Sequence, residues 1–432
     1  MEIAEYLSSA LELKRRFFPD IAFTNRRLGN PLILNVPEQP VQAIRLSLQE
    51  KQPLHLASLE LSRGNGPAIK LDDRTRLSLS SSYKGEAVEV AAKRFFDPNT
   101  SHVGFHTENE NSPWALVQLH EPVSIDRILL NNRGDQYASR ARTLRVEISS
   151  GDEDWTEVYN GLSRWHIFQA VLTDQAVRRG GAKGHATVIR FVNDILSLLF
   201  LHDYQGASKL LKSYPGVSWD RKNELIANLN QTVLPPLQLE WTTHGVHRSF
   251  RYWSDAEKLS YLQFTTLVAA ALNECFENRV CLGFGSVLSI VRDRALMPHD
   301  DDLDIIALLP AAQCRSFEEG KALVTRLMTE RGFVVPAEHP SHIKVRREGQ
   351  KSVDVFIGIE EGDRATWYPG PRGEILIDEV FPPIPAVLYG VSCPIPRSPF
   401  VYLEKVYGPS WGTPQPRWSH KWDKSAVGNL LS

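Results

Sequence analysis

The stretch Val280–Leu309, VCLGFGSVLSIVRDRALMPHDDDLDIIALL, restricts this chain more than any other. Val280 to Leu282 reads as a short apolar strand, Gly283-Phe284-Gly285-Ser286 as a turn, Val287 to Asp293 as a short helix and Leu303 to Leu309 as a second strand. A strand, a Gly-Ser turn and a helix bring the backbone N–H groups around Gly285 and Ser286 to a helix N-terminus, where a phosphate can be held. The run Asp300-Asp301-Asp302-Leu303-Asp304 leads into the second strand. Side chains two apart on a strand share a face, so Asp302 and Asp304 project together. Two carboxylates that close repel unless a cation lies between them, and hard oxygen ligands suit Mg2+ or Mn2+. Acidic runs are commonly solvated turns, but this one is flanked by aliphatic strands and preceded by a phosphate-holding turn. A metal site is the economical explanation.

A third acid, Asp354, interrupts the apolar strand KSVDVFIGI. A buried unpaired carboxylate is expensive, so a metal or an Arg/Lys partner must compensate it. Joining Asp302 and Asp304 as a third ligand would do so. Lys344 and Arg346, on the strand HIKVR, are same-facing cations that either meet a diphosphate or form a solvated edge. The pairs His244/His247 and His339/His342 have metal-like spacing, but no Cys partner stands nearby, and both read as surface turns.

At 432 residues, 42% hydrophobic, the chain exceeds one compact domain. Lys plus Arg number 49 against 51 for Asp plus Glu, which removes the broad electrostatic drive of a nucleic-acid binder. Cys275, Cys281, Cys314 and Cys393 show no CxxC spacing, which argues against a disulfide scaffold or zinc ribbon and favours a reducing compartment. No run approaches the roughly 20 apolar residues that span a bilayer, and the N-terminal basic cluster follows the apolar part, the reverse of a secretory signal. A cytoplasmic location without a transmembrane segment is expected.

From about Asn25 to Ile189 the apolar residues fall in short, mostly alternating runs, such as Ile44-Leu46-Leu48 and Leu144-Val146-Ile148, separated by turn-rich pieces. That pattern indicates antiparallel β structure. Residues 40–61 and 185–206 each place an aliphatic-Arg strand before a second apolar strand, suggesting a duplicated β module. The expected organisation is an α+β multidomain chain: a β-rich segment over 1–65, a β-sandwich over 66–207, a connector over 208–253 and an α/β domain over 254–432. Ser254 and Glu257 form the S-x-x-E start of a helix running to about Glu277.

Two resemblances add to this. Phe96-Asp97, Gly104-Phe105-His106-Thr107, Pro113 to Leu119, Val123 to Ile128, Leu144 to Ser149 and Trp155 resemble in order the discoidin-like, coagulation-factor C-type β-sandwich. The resemblance implies sugar binding through loops at one end, here His102, His106, Asn131, Arg133, Asp135, Tyr137 and Arg140; otherwise these loops are merely solvated, with Trp114 and Trp155 in the core. Gly285-Ser286, Val291-Arg292 and Met297-Pro298-His299-Asp300-Asp301-Asp302-Leu303-Asp304-Ile305, with the tail Val401 to Pro414, resemble the LicD/fukutin-type phosphotransferases of the polymerase β-like nucleotidyltransferase fold.

That second resemblance implies transfer of a phospho-alcohol, such as phosphocholine, phosphoglycerol or phosphoribitol, from a CDP-linked donor to a glycan hydroxyl. Asp302, Asp304 and Asp354 would be the catalytic metal ligands for Mg2+ or Mn2+, and Gly285, Ser286, Arg292, Lys344 and Arg346 the phosphate contacts. His299, which replaces the family's Trp, and Asp300 are further candidates. The implied partners are the donor and a glycan acceptor, with peripheral association to a polysaccharide assembly complex. The competing readings are a nucleotidyltransferase using an NTP and a glycan-binding protein with an inert transferase domain.

Overall fold

The computed structural model describes residues 3–431 except 22, 25–29, 65, 72, 98, 100–102, 134, 135, 152, 153, 180–182 and 416–423. The chain divides into two compact units, Met1–Leu237 and Gln238–Ser432. Among the described residues, no helix is long and apolar enough to cross a membrane. The four cysteines are free thiols.

The first unit opens with a helix, α1 (Ile3–Phe17), and continues into strands β1 (Leu32–Leu48), β2 (His55–Leu56), β3 (Ser58–Ser62) and β4 (Arg76–Leu79). Helix α2 (Val88–Phe95) and strands β5 (Phe105–His106), β6 (Trp114–Asn131), β7 (Leu144–Ser149) and β8 (Thr156–Asn160) complete the β part. One six-stranded antiparallel sheet runs β3-β6-β1-β7-β8, with β4 also on β6. Its register shifts between Asn35 and Gln39 and between Val41 and Ala43, around Pro37 and Pro40, whose missing N–H groups suit such irregularities. The alternating residues Ile44, Leu46 and Leu48 are buried as their spacing requires. They share a core with the β2–β5 ladder and with Phe95, which meets Phe105 edge-on at 4.8 Å. Trp114, 38% exposed, is not core, and the half-buried Trp155 lies beneath the Arg45 guanidinium at 3.9 Å.

Gly104 sits where α2 crosses β3's approach. A Cβ there would lie 2.4 Å from the Ala57 carbonyl oxygen and 2.8 Å from Phe95 Cα. Both are backbone atoms that cannot rotate away, so Gly104→Ala should destabilise the first unit by about 2 kcal/mol in denaturant titrations. A midpoint equal to wild type would contradict this packing.

Beyond Asn160 the first unit is helical: α3 (Gly161–Arg179), α4 (Lys183–Phe200), α5 (Tyr204–Ser213) and α6 (Trp219–Thr232). This corrects the β reading of residues 161–207 and removes the duplicated module, because residues 185–206 are mostly α4. Buried Ile189, Val192, Ile195, Leu196 and Leu199 recur at helical spacing, and an apolar run of this length cannot be separated from a strand pair by composition alone. Residues 208–232, read as connector, are chiefly helix as well.

The second unit starts with a small hairpin, β9 (Glu240–Thr242) and β10 (Gly245–His247), and then α7 (Asp255–Asn273). The expected capping box is present: Ser254 accepts from the Glu257 N–H and Glu257 accepts from the Ser254 N–H. Strand β11 (Val280–Leu282), helix α8 (Phe284–Leu288), a π turn over Ser289–Asp293 and strand β12 (Asp304–Leu309) follow. Helix α9 (Phe317–Glu330) leads into β13 (Val334–Glu338), β14 (His342–Arg346), β15 (Val353–Glu361) and β16 (Arg364–Thr366). The chain ends through α10 (Ile377–Val380), the hairpin β17 (Ile384–Leu388) and β18 (Val391–Ile395), and α11 (Pro399–Tyr407).

The central sheet runs β11-β12-β15-β14-β13, with β16 on β15, and only the β12–β15 pair is parallel. The second unit is thus a mixed α/β domain, as its sequence pattern implied. Successive residues on β15 alternate between faces. Ile357 faces α9, where Gly320 leaves so little room that a Cβ would come 2.5 Å from Ile357 Cγ2. Asp354 and Phe356 face the other way, and Phe356 meets Phe284 of α8 at 4.8 Å.

Candidate active site

The parallel register places Asp304 directly opposite Asp354, and the antiparallel β14 places Lys344 opposite Asp354 on the other side. Asp302 precedes β12 rather than lying on it, since the strand begins at Asp304. Its carboxylate nevertheless joins those of Asp304 and Asp354, with one oxygen from each within 4.8 Å of the others. The three acids singled out in the sequence therefore converge.

Asp354 is 6% exposed, and Lys344 Nζ bonds both its oxygens, at 2.6 and 2.8 Å. The buried carboxylate thus has the Lys partner its position demanded. Among the described residues no hydrogen bond or ion pair ties up the carboxylates of Asp302 and Asp304. Burial and then the neighbouring acids raise both, Asp304 well above the ordinary carboxylate range. Asp300 is pushed up to about 7, first by burial and then by Asp302. Carboxylates crowded in this way keep protons unless a cation joins them. All-oxygen donors and excess negative charge fit a hard divalent ion such as Mg2+ or Mn2+.

The Gly-Ser segment read as a turn lies in the short helix α8 and is built tightly. A Cβ at Gly285 would meet Asp300 Oδ2 and Met297 Cε at 2.9 Å, so any larger residue would displace these two side-chain ends. The Ser286 hydroxyl accepts from the Asp304 N–H at 2.8 Å, which holds the start of β12. Four amides here are engaged: Gly283 N–H donates to the Asp304 carbonyl at 2.9 Å, Phe284 N–H to Tyr402 Oη at 2.9 Å, and those of Ser286 and Val287 to the Gly283 carbonyl at 3.0 and 3.3 Å. Phe284 has φ 43°, an uncommon left-handed value for a bulky residue.

Arg292 forms a fork with Asp293 at 2.8 and 2.9 Å and reaches the Trp411 carbonyl at 3.3 Å. It joins the helix end to the C-terminal tail rather than to the acidic run. Arg346 ends β14 and is exposed, as is His299. The structure thus gathers Asp300, Asp302, Asp304, Asp354, Lys344, Gly285 and Ser286, and leaves Arg346 and His299 at the surface.

Several residues around the acids were not assigned to the site from the sequence. Tyr261 on α7 donates to the Ser352 carbonyl at 2.7 Å and accepts from the Leu303 N–H at 3.2 Å, bracing both acid-bearing strands. Tyr402 of α11, within the tail motif, holds the α8 turn. His342, read as part of a surface turn, is half-buried, with Nε2 3.7 Å from Asp354 Oδ2 and its ring stacked on His339 at 4.3 Å. Burial lowers its pKa to about 3, so it is neutral at physiological pH. His244 and His247, also read as a surface turn, each lie 3.3 Å from Asp301. The His244 pKa is raised to about 9, chiefly by its bond to Asp301.

In the first unit, the His106 ring lies between His55 at 5.4 Å and Tyr83 at 4.6 Å. Arg133 and Arg140 stack on Tyr137 at 4.8 and 4.5 Å, while Asn131 donates to Ser58 Oγ at 2.9 Å. His102 and Asp135 lie outside the described residues.

No curated protein matches the chain. Residues 277–398 match the nucleotidyltransferase domain of the LicD/FKTN/FKRP family, which spans the Gly-Ser turn and all three converging acids. Residues 94–167 match the NedA-like galactose-binding domain. The first match suggests a transferase that modifies glycans by phosphotransfer, and the second fits glycan recognition. The chain therefore carries a LicD/FKTN/FKRP nucleotidyltransferase domain in its second unit and a galactose-binding, discoidin-like domain in its first.

Proposed function

We propose that the second unit transfers a phospho-alcohol from a CDP-linked donor to a glycan hydroxyl during synthesis of a cell-surface polysaccharide. The convergence of Asp302, Asp304 and Asp354 carries this reading. The acceptor oxygen attacks the phosphorus that bears the alcohol, a new P–O bond forms, and the P–O bond to CMP breaks. A Mg2+ or Mn2+ ion held by these acids would neutralise the diphosphate and lower the proton affinity of the acceptor. Asp354 accepts the hydroxyl proton and Lys344 keeps that carboxyl in place throughout. The galactose-binding domain retains the growing chain, which raises its effective concentration at the acids without new chemistry.

Incubation with a panel of CDP-linked glycerol, ribitol and choline, a glycan acceptor and Mg2+ or Mn2+ should release CMP and add the corresponding phospho-alcohol mass to the glycan. Pyrophosphate release from an NTP instead would assign nucleotidyl transfer. Absence of turnover with both donor classes would leave the chain a glycan binder.

A further inference from the structure

Asp301, between the metal-side acids, has a different set of partners. Its Oδ1 lies 3.3 Å from His244 Nδ1 and 3.3 Å from His247 Nε2, and its Oδ2 accepts from Lys351 Nζ at 2.9 Å. The Lys351 ammonium also reaches the Asp301 carbonyl. Both histidines come from the β9–β10 hairpin, which ends thirty residues before the matched domain begins at 277. Two main-chain bonds extend the grip: Phe250 N–H donates to the Asp300 carbonyl at 2.7 Å and Arg251 N–H to the Pro298 carbonyl at 2.8 Å. These bonds bracket His299.

We propose that residues 240–253 form a strap that positions the acidic loop, with Asp301 as its anchor and not a metal ligand; this rests on the metal-dependent reading above. The hairpin is itself braced. The Thr242 hydroxyl accepts from the His244 N–H at 3.1 Å and meets His247 Nε2 at 3.2 Å, and Glu240 accepts from Ser249 Oγ at 2.7 Å and from Arg251 Nε at 3.3 Å. His244, Asp300, Asp301 and Asp302 also stand close enough to hold an ion of their own. In that group, however, Asp301 is held by two imidazoles and an ammonium from outside the acid cluster, whereas the carboxylates of Asp302 and Asp304 turn toward Asp354. The strap therefore decides which two of four near-consecutive acids turn to the metal. Residues outside the ligand set that orient ligands are worth about 10- to 100-fold in metal affinity.

The test uses the full chain with Mn2+ as the probe. Asp301→Asn, the double variant His244→Ala/His247→Ala and the triple combination are titrated by calorimetry, and exchange of the amides in 299–304 is followed without metal. Each of the first two should weaken Mn2+ binding about 10-fold, and the triple should be no weaker than either, since all act through one contact. Loop exchange should quicken in all three. Should the histidine double not fold, Lys351→Met removes the third donor from a different segment and must act in the same direction. Additive losses, unchanged exchange, or loss of one whole Mn2+ equivalent on removing the histidines would each overturn the strap, the last by making His244 a ligand. If wild type binds no Mn2+ while exchange still quickens in the variants, the catalytic reading fails and the strap stands.

Discussion

Asp304→Asn is expected to lower transfer by about 1,000-fold or more while making the metal-free protein more stable. The loss follows from removing one of three converging ligands, because a bound ion supplies several kcal/mol of charge stabilisation and each 1.36 kcal/mol is worth tenfold in rate. The opposite sign on stability follows from crowding. Asp304 is held well above the ordinary carboxylate range by burial and then by Asp302 and Asp354, so its negative charge opposes folding. Asparagine keeps the shape and deletes that charge. A gain of about 1 kcal/mol would raise the midpoint of the second unit by about 2–4 °C.

The sign with pH can be worked out. Acids whose folded pKa exceeds the unfolded value bind extra protons in the native state. Stability is then present at low pH and is lost as pH rises through the window between the ordinary carboxylate value and the folded one. For Asp300 that window closes at about 7. The midpoint difference between Mn2+-loaded and metal-free protein should therefore grow from pH 5 to 7.5 in wild type and be smaller at both pH values in Asp304→Asn. Calorimetric scans at both pH values check it, and a variant less stable than wild type at pH 7.5 would contradict the crowding argument.

Lys344→Met should destabilise the second unit by about 3 kcal/mol, the larger structural effect. Asp354 is buried, and both its oxygens rest on the Lys344 ammonium, so the substitution strands a charge in a place where water cannot replace the partner. Asp354→Asn in the Lys344→Met background should recover most of the loss, since an amide needs no counter-charge. A double-mutant cycle in urea measures this coupling, and independent losses from the two substitutions would show that the ion pair is not what holds Asp354.

Much of the second unit was legible because its signals are local. Val280–Leu282 and Leu303–Leu309 are aliphatic runs too short for helices, and Ser254 with Glu257 marks a helix start through bonds three residues apart. The convergence of Asp304 with Asp354 could be anticipated because a lone carboxylate within VDVFIGI has few places to go. The role of Lys344 was half visible: alternation placed it on the right face, but nothing in HIKVR indicates that the ammonium meets a carboxylate rather than a diphosphate. The His244–Asp301 contact joins residues 57 apart through a hairpin that a short polar segment does not announce. The α4 error has another cause. Ile189, Val192, Ile195, Leu196 and Leu199 do recur at helical spacing, but the short apolar runs Phe191-Val192 and Leu198 to Leu201 between polar residues read as strands when taken one at a time.

The parallel pairing of β12 with β15 has one more consequence. The chain between them, residues 310–352, leaves and returns at fixed rungs, so its own length is irrelevant to where the two carboxylates meet. Grafts at Gly349, which turns with φ 76°, would lengthen the excursion while leaving Lys344 on Asp354 and Lys351 on Asp301. A single residue inserted inside either strand would do the reverse, rotating one acid to the helix-covered side and dismantling the centre while the sheet itself persisted.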